Sequence, residues 1–139
     1  MKLENTIEIK ASMAHIWAVT CDIENWPQWT PTISAVKKCE REQTAVGSKA
    51  LVKQPGIKET EWTITVLNEP ECFAWTASIL GMPSVATHEI FEKEGKTYNR
   101  LSFEITGRLA RLIGPILRPQ LQKALATENK GLKAFCETQ

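Results

Sequence analysis

The stretch RLARLIGPILRPQLQKALATENKGLKAFCETQ, Arg108 to Gln139, decides the fold. Its apolar residues Leu109, Leu112, Ile113, Ile116, Leu117, Leu121, Leu125, Leu132 and Phe135 recur at steps that suit one helical face. Spacings of three and four give an amphipathic helix of about seven to eight turns. Gly114-Pro115 and Pro119 lie near its start. Proline lacks a backbone donor and crowds the preceding turn, so the first turn is expected to kink or split off. A helix with one apolar stripe is not stable alone in water. It needs a surface to lie across.

The sequence upstream supplies that surface. From Ile33 the apolar period falls to two, and strands are expected at 33–40, 47–53, 58–67, 72–80, 84–93 and 97–106. Trp62, Ile64 and Val66 alternate with Thr63 and Thr65; Phe73, Trp75, Ala77 and Ile79 alternate in the next strand. Pro55-Gly56, Asn68 to Glu71, Gly81-Met82-Pro83 and Glu94-Gly95-Lys96 read as turns. Short strands joined by short turns make an antiparallel meander. At the N-terminus Leu3, Ile7 and Ile9 alternate with Glu4, Thr6, Glu8 and Lys10 as one more strand. Ser12 is placed to cap a short helix through Asp22, with His15 expected at the surface, and a brief helical turn is expected over Asp22 to Asn25. Pro27 and Pro31 forbid a long second helix. The class is α+β. A curved antiparallel sheet of about six to seven strands wraps a long C-terminal helix, with two short helices after the first strand, in one domain spanning 1–139. A curved sheet gripping a helix seldom closes along its whole length, and the residual volume is a natural ligand site.

Composition excludes several functions. The 139 residues carry 17 basic and 16 acidic side chains, a net charge of +1, so no global field draws nucleic acid or an anionic membrane. No run of about 18 apolar residues spans a bilayer, so stable membrane insertion is not expected. MKLENTIEIK lacks the apolar core of a signal peptide, and Cys21, Cys39, Cys72 and Cys136 are too scattered to form a metal motif. Reduced thiols, packed mostly as small hydrophobes in a cytoplasmic protein, are expected. There is no G-x-S-x-G, no H-E-x-x-H, no phosphate loop and no dinucleotide fingerprint. No cofactor and no metal are therefore expected.

TIEIKASMAHIWAVTCDIENWPQW, GSKALVKQPG, HEIFEKEGKTYNRLSFEITG and GLKAFCE together resemble the helix-grip superfamily of START lipid-transfer domains, birch-pollen-allergen-like proteins and polyketide cyclase/dehydrase-like (SRPBCC) proteins. The similarity runs over essentially the whole chain, and the W-P-x-W segment is its most specific part. It implies an internal apolar cavity beneath the long helix, closed at one end by that segment. It implies no particular ligand.

Trp26 and Trp29 are accordingly expected at the mouth of the groove, with Trp26 the more ligand-facing. Trp62 and Trp75 serve equally as core or as cavity wall, since a wall residue is a core residue beside a void. His88 is the polar candidate: if Ser84, Ala86, His88 and Ile90 face inward, small residues leave room and the histidine supplies one handle. Strand alternation leaves two faces open for 97–106. Either Leu101, Phe103 and Ile105 line the groove, or Arg100, Ser102, Glu104 and Thr106 do. The binding set is therefore Trp26, Trp29, Trp62, Trp75, His88 and Phe103, around a small hydrophobic or amphipathic molecule: a lipid, a polyketide or an aromatic compound. The alternatives are a polyketide cyclase or dehydratase using His88, with Glu104 as its partner in proton transfer, and a chaperone-interacting domain.

Overall fold

The computed structural model describes residues 1–138. Strand β1 (Lys2–Glu8) leads into helix α1 (Met13–Cys21) and a 3-10 helix (Ile23–Gln28). Strands β2 (Ala35–Lys38), β3 (Lys49–Gln54), β4 (Ile57–Asn68), β5 (Cys72–Ile79), β6 (Met82–Lys93) and β7 (Lys96–Ile105) follow, and helix α2 (Arg108–Glu137) closes the chain. The sheet order is β1-β7-β6-β5-β4-β3-β2, antiparallel throughout. The meander is present as expected, and β1 joins it at the β7 edge. Leu80-Gly81 and Glu94-Gly95 have positive φ at both residues, the two-residue turn whose twist matches the strands it joins.

Two irregularities bend the sheet. The register shifts between Val52 and Gln54 on β3 and between Ile64 and Val66 on β4. An extra residue on one strand kinks it and increases its twist, which curves the sheet around α2. The second shift also corrects the expected alternation. Trp62 and Ile64 face the core, but Val66 is 39% exposed and Leu67 takes the inward place.

Helix α2 is tied to the β1–β7 edge by polar contacts. Buried Asn129 accepts from Asn99 Nδ2 at 2.7 Å and donates to the Asn5 carbonyl at 2.9 Å. Lys133 Nζ donates to the Glu8 carbonyl at 2.9 Å, and Gln122 Nε2 to that of Glu4 at 3.0 Å. The helix runs unbroken through Pro115 and Pro119 rather than splitting near them. Both prolines are exposed, where a carbonyl left without a donor costs least. Nor does α2 carry a single stripe. Ile113, Leu117 and Leu121 pack on the sheet, while Leu109, Leu112 and Ile116 face solvent.

Local corrections are smaller. Strand β2 covers only Ala35–Lys38, and Ile33 is a buried loop residue. His15 is half-buried rather than at the surface. The cysteines are all free, but only Cys136 is buried and Cys39 is exposed. The main core lies between the sheet, α1 and the last turns of α2, around Ile16, Trp17, Trp26, Phe73 and Leu132. A smaller cluster of Met82, Ile105 and Ala110 lies under the first turns of α2. The cavity opens between the two.

Candidate functional site

Ser12 caps α1 by accepting from the His15 backbone N–H at 3.1 Å. The chain then reverses into the 3-10 helix, which extends through Pro27 to Gln28, beyond the single turn expected. A 3-10 helix has three residues per turn, so Trp26 and Trp29 fall on the same side. Their ring centroids are 5.6 Å apart. The Trp26 indole donates to the Thr20 carbonyl at 3.0 Å, which fixes the ring. Around it stand His88 at 5.0 Å, Trp75 at 5.1 Å and Phe73 at 5.9 Å. Trp62 lies 5.3 Å beyond Trp75.

The sheet register fixes which side chains face this cluster. His88 pairs with Phe73 on β5 and with Leu101 on β7; Ala86 pairs with Trp75 and Phe103. Paired residues share a face, so the apolar set Leu101, Phe103 and Ile105 turns inward. Glu104 is exposed on the convex face, opposite Lys2 and Val85. It does not meet His88, and the expected His88–Glu104 pair is not formed.

A cavity of about 420 Å³ separates the sheet from α2. Trp26, Trp62, Trp75, His88 and Phe103 line it together. Trp29 does not line it; at 7% exposure it packs behind Trp26. Trp26 itself is 1% exposed and forms the closed inner end, not the mouth. The mouth is the exposed part of the lining: Pro55-Gly56 in the β3–β4 turn, Leu80 after β5, and Gln120 on α2. From Leu117 to Glu128 the helix follows the cavity for about 16 Å.

The carboxylate that does face His88 is Glu128. Its Oε1 is 3.8 Å from His88 Nε2, and Thr32 Oγ1 stands 3.5 Å from its Oε2. Leu121, Leu125 and Leu132 mark an inward stripe on which position 128 also falls. Glu128 was not among the expected site residues, although a charged residue on that stripe is a sequence signal that could have found it. Burial pushes the Glu128 carboxyl up to about 7, with the Thr32 hydroxyl opposing in part. Burial also pushes the His88 imidazole down to about 4. Near neutral pH the inner end thus holds a neutral imidazole beside a carboxyl that is partly protonated. His88 Nδ1 and Trp62 Nε1 are buried without a hydrogen-bond partner. Such atoms are costly unless something meets them.

The raised Glu128 carboxyl has a consequence for stability. Its proton is held more tightly folded than unfolded, so stability is lost as pH rises from about 4.5 to about 7. Glu128→Gln, which mimics the protonated acid, is expected to stabilise the protein at pH 8 by on the order of 1–3 kcal/mol. At pH 5 it should change little. Urea unfolding of both proteins at the two pH values measures the difference; an equal effect at both would show that Glu128 titrates normally.

A curved sheet gripping a long helix around an apolar cavity defines the helix-grip class. The chain belongs to the family described as "Polyketide cyclase / dehydrase and lipid transport", whose model matches residues 1–137. Among solved structures it is similar to the Aha1 dimer of Colwellia psychrerythraea, at 18% identity and a TM-score of 0.68, covering 99% of this chain and 96% of that one. It is similar to major latex-like protein 151 of Panax ginseng, at 14% identity and a TM-score of 0.71, covering 98% and 97%. It is also similar to the di-domain ARO/CYC StfQ of the steffimycin biosynthetic pathway, at 12% identity and a TM-score of 0.76, covering 99% of this chain and 50% of that one. At these identities the likeness is one of fold. No curated protein sequence matches the chain significantly.

Proposed function

We propose that the cavity binds a small, neutral, largely apolar molecule, aromatic in part, with a hydrogen-bonding group at its inner end. One observation carries this reading: a 420 Å³ space lined by Trp26, Trp62, Trp75 and Phe103, with His88 and Glu128 as its ionisable groups and no lysine or arginine. The volume lies in the usual range for small-molecule sites. Aromatic walls suit flat apolar ligands. A free carboxylate at the inner end would stand beside Glu128 with no cation to answer it, which disfavours fatty acids. A hydroxyl or carbonyl there meets the neutral imidazole and the partly protonated carboxyl without adding charge, and the polyketide and aromatic classes fit it better than a fatty acyl chain.

Tryptophan fluorescence tests this with 2-naphthol, naphthalene and palmitate, beside native mass spectrometry of the purified protein. Naphthol is expected to quench most tightly and palmitate least. Ala124→Phe, which fills the cavity from the helix side, is expected to weaken naphthol about tenfold or more, at 1.4 kcal/mol per tenfold. No quenching across the panel, together with no co-purifying molecule, would defeat the reading.

A second reading is proton-transfer catalysis of the cyclase or dehydratase type. It draws on His88 and Glu128 standing 3.8 Å apart at the inner end, a neutral imidazole beside a partly protonated carboxyl. Once a ligand is known, its mass and retention time before and after incubation with the protein and with Glu128→Gln separate binding from turnover.

A further inference from the structure

The first turns of α2 have an outward face that the cavity does not explain. Leu109, Leu112 and Ile116 are 42%, 74% and 77% exposed. Their spacing of three and four puts them on one stripe, opposite the stripe that packs on the sheet. Between Glu104 and Glu128 the sequence has no acidic residue, but it has Arg108, Arg111, Arg118 and Lys123. None of these four cations forms an ion pair among the described residues. Arg111 and Arg118, seven residues apart, lie together on the groove side of the helix, and Arg108 lies between them and the stripe. With Pro115, Ala110 and Ile105, Arg111 and Arg118 line a groove of about 520 Å³ between α2 and the end of β7. The chain's net charge of +1 conceals this patch, because the acidic residues all lie elsewhere. The stripe also adjoins the cavity mouth: Leu117 and Gln120, next to Ile116 and one turn beyond it, are part of the cavity lining.

We infer that the segment Arg108 to Pro119 docks the protein on an anionic phospholipid surface. Leu109, Leu112 and Ile116 enter the boundary between headgroups and acyl chains, and Arg111 and Arg118 meet lipid phosphates. Exposed apolar residues with cations along one side are the pattern of a helix lying in a membrane interface. No helix of the described residues is long and apolar enough to cross a membrane, so the contact is with the surface. A second copy fits less well. A two-fold contact through this stripe brings arginines against arginines with no acidic residue to answer them. An acidic protein fits less well too, because a stable protein interface needs roughly 800 Å² per partner, whereas a bilayer is held by a few inserted side chains and cations. On the bilayer the cavity mouth faces the lipid.

Co-sedimentation tests this with vesicles of equal parts phosphatidylcholine and phosphatidylglycerol, beside vesicles of phosphatidylcholine alone. The protein is expected to pellet with the anionic vesicles at low salt, to release as salt rises, and to stay in solution with the neutral ones. The double variant Leu112→Ser/Ile116→Ser changes only exposed side chains, and circular dichroism checks its fold. It is expected to weaken binding about tenfold or more. Arg111→Gln/Arg118→Gln is expected to weaken it about tenfold and to flatten the salt dependence. No pelleting at low salt, or variants that pellet like the parent, would overturn the inference. So would self-association that the serine variant abolishes, which assigns the face to a second copy. Equal affinity for soluble polyglutamate would assign it to an acidic polypeptide instead. The vesicles carry no cavity ligand, so failure here leaves the cavity reading intact, and failure of the cavity reading leaves this one.

Discussion

Gly131→Ala is expected to destabilise the protein by about 3 kcal/mol or more and to loosen the aromatic end of the cavity. Gly131 lies inside α2, where helix propensity alone favours alanine by about 1 kcal/mol. Packing opposes that gain. A methyl group at Gly131 collides with the Trp29 carbonyl oxygen and comes within 3.0 Å of its carbonyl carbon and 3.6 Å of Thr30 Cα. These are backbone atoms, and they are held in place: the Trp29 and Thr30 N–H groups both donate to the Trp26 carbonyl, at 3.0 and 3.1 Å. Neither side yields by turning a side chain, so the helix or the whole 3-10 segment must move. Overpacking commonly costs about 1–3 kcal/mol, and backbone against backbone stands at the upper end of that range or beyond it. The propensity gain is outweighed. A melting temperature lower by roughly 10 °C is expected, with red-shifted tryptophan emission as Trp26 and Trp29 lose their packing. An alanine variant as stable as the parent would show that α2 and the 3-10 segment are not in this close contact.

Gly131 also shows where sequence reasoning ends. The glycine was visible in GLKAFCE, but the carbonyl that demands it comes from a segment about 100 residues earlier, and no local pattern reports that approach. Elements with a strong period were legible. The change from period two to spacings of three and four at Gly107 placed the sheet and α2 within a few residues of their observed bounds. Features set by pairing between strands were not. Val66 keeps the alternation in sequence and loses it in the sheet, because the extra residue is defined only against Ala74 on β5. The two faces of β7 could be told apart only once Leu101 stood opposite His88. In α2 the inward and outward apolar residues have the same spacings, so period alone merged them into one stripe.

The candidate site divides in the same way. Trp26, Trp62, Trp75, His88 and Phe103 were legible as large or polar residues at inward positions, and the cavity brings them together. Glu104 was a candidate because strand alternation left either face of 97–106 free to line the groove; pairing sends it to the convex face. Glu128 was legible in principle, as a carboxyl on the buried stripe of an amphipathic helix. Trp29 shares the W-P-x-W segment with Trp26, but it meets α2 rather than the cavity.

Trp26→Ala is expected to cost about 3–5 kcal/mol, the range for a tightly packed core aromatic. A lid residue would cost much less, since a lid is open to solvent on one side and forms few fixed contacts. Trp26 has the properties of a core residue. It is 1% exposed, its indole N–H is bonded to the Thr20 carbonyl, and its ring is close to those of Trp29, Phe73, Trp75 and His88. Truncation removes the ring from the middle of that group and leaves the Thr20 carbonyl without its donor. It also joins the vacated space to the cavity, so the neighbouring rings lose contacts rather than collapse inward. Trp26→Phe keeps most of the apolar surface and loses the hydrogen bond. It is expected to cost about 1–2 kcal/mol beyond any repacking, in line with one buried hydrogen bond and one unsatisfied carbonyl. Urea unfolding of the parent, the alanine variant and the phenylalanine variant gives the three values, and naphthol titration of the folded alanine variant shows whether the enlarged cavity still binds. A loss below about 1 kcal/mol for Trp26→Ala, with naphthol binding abolished, would return Trp26 to the role of a cover over the ligand. A large loss with binding retained makes it the aromatic floor on which the cavity is built.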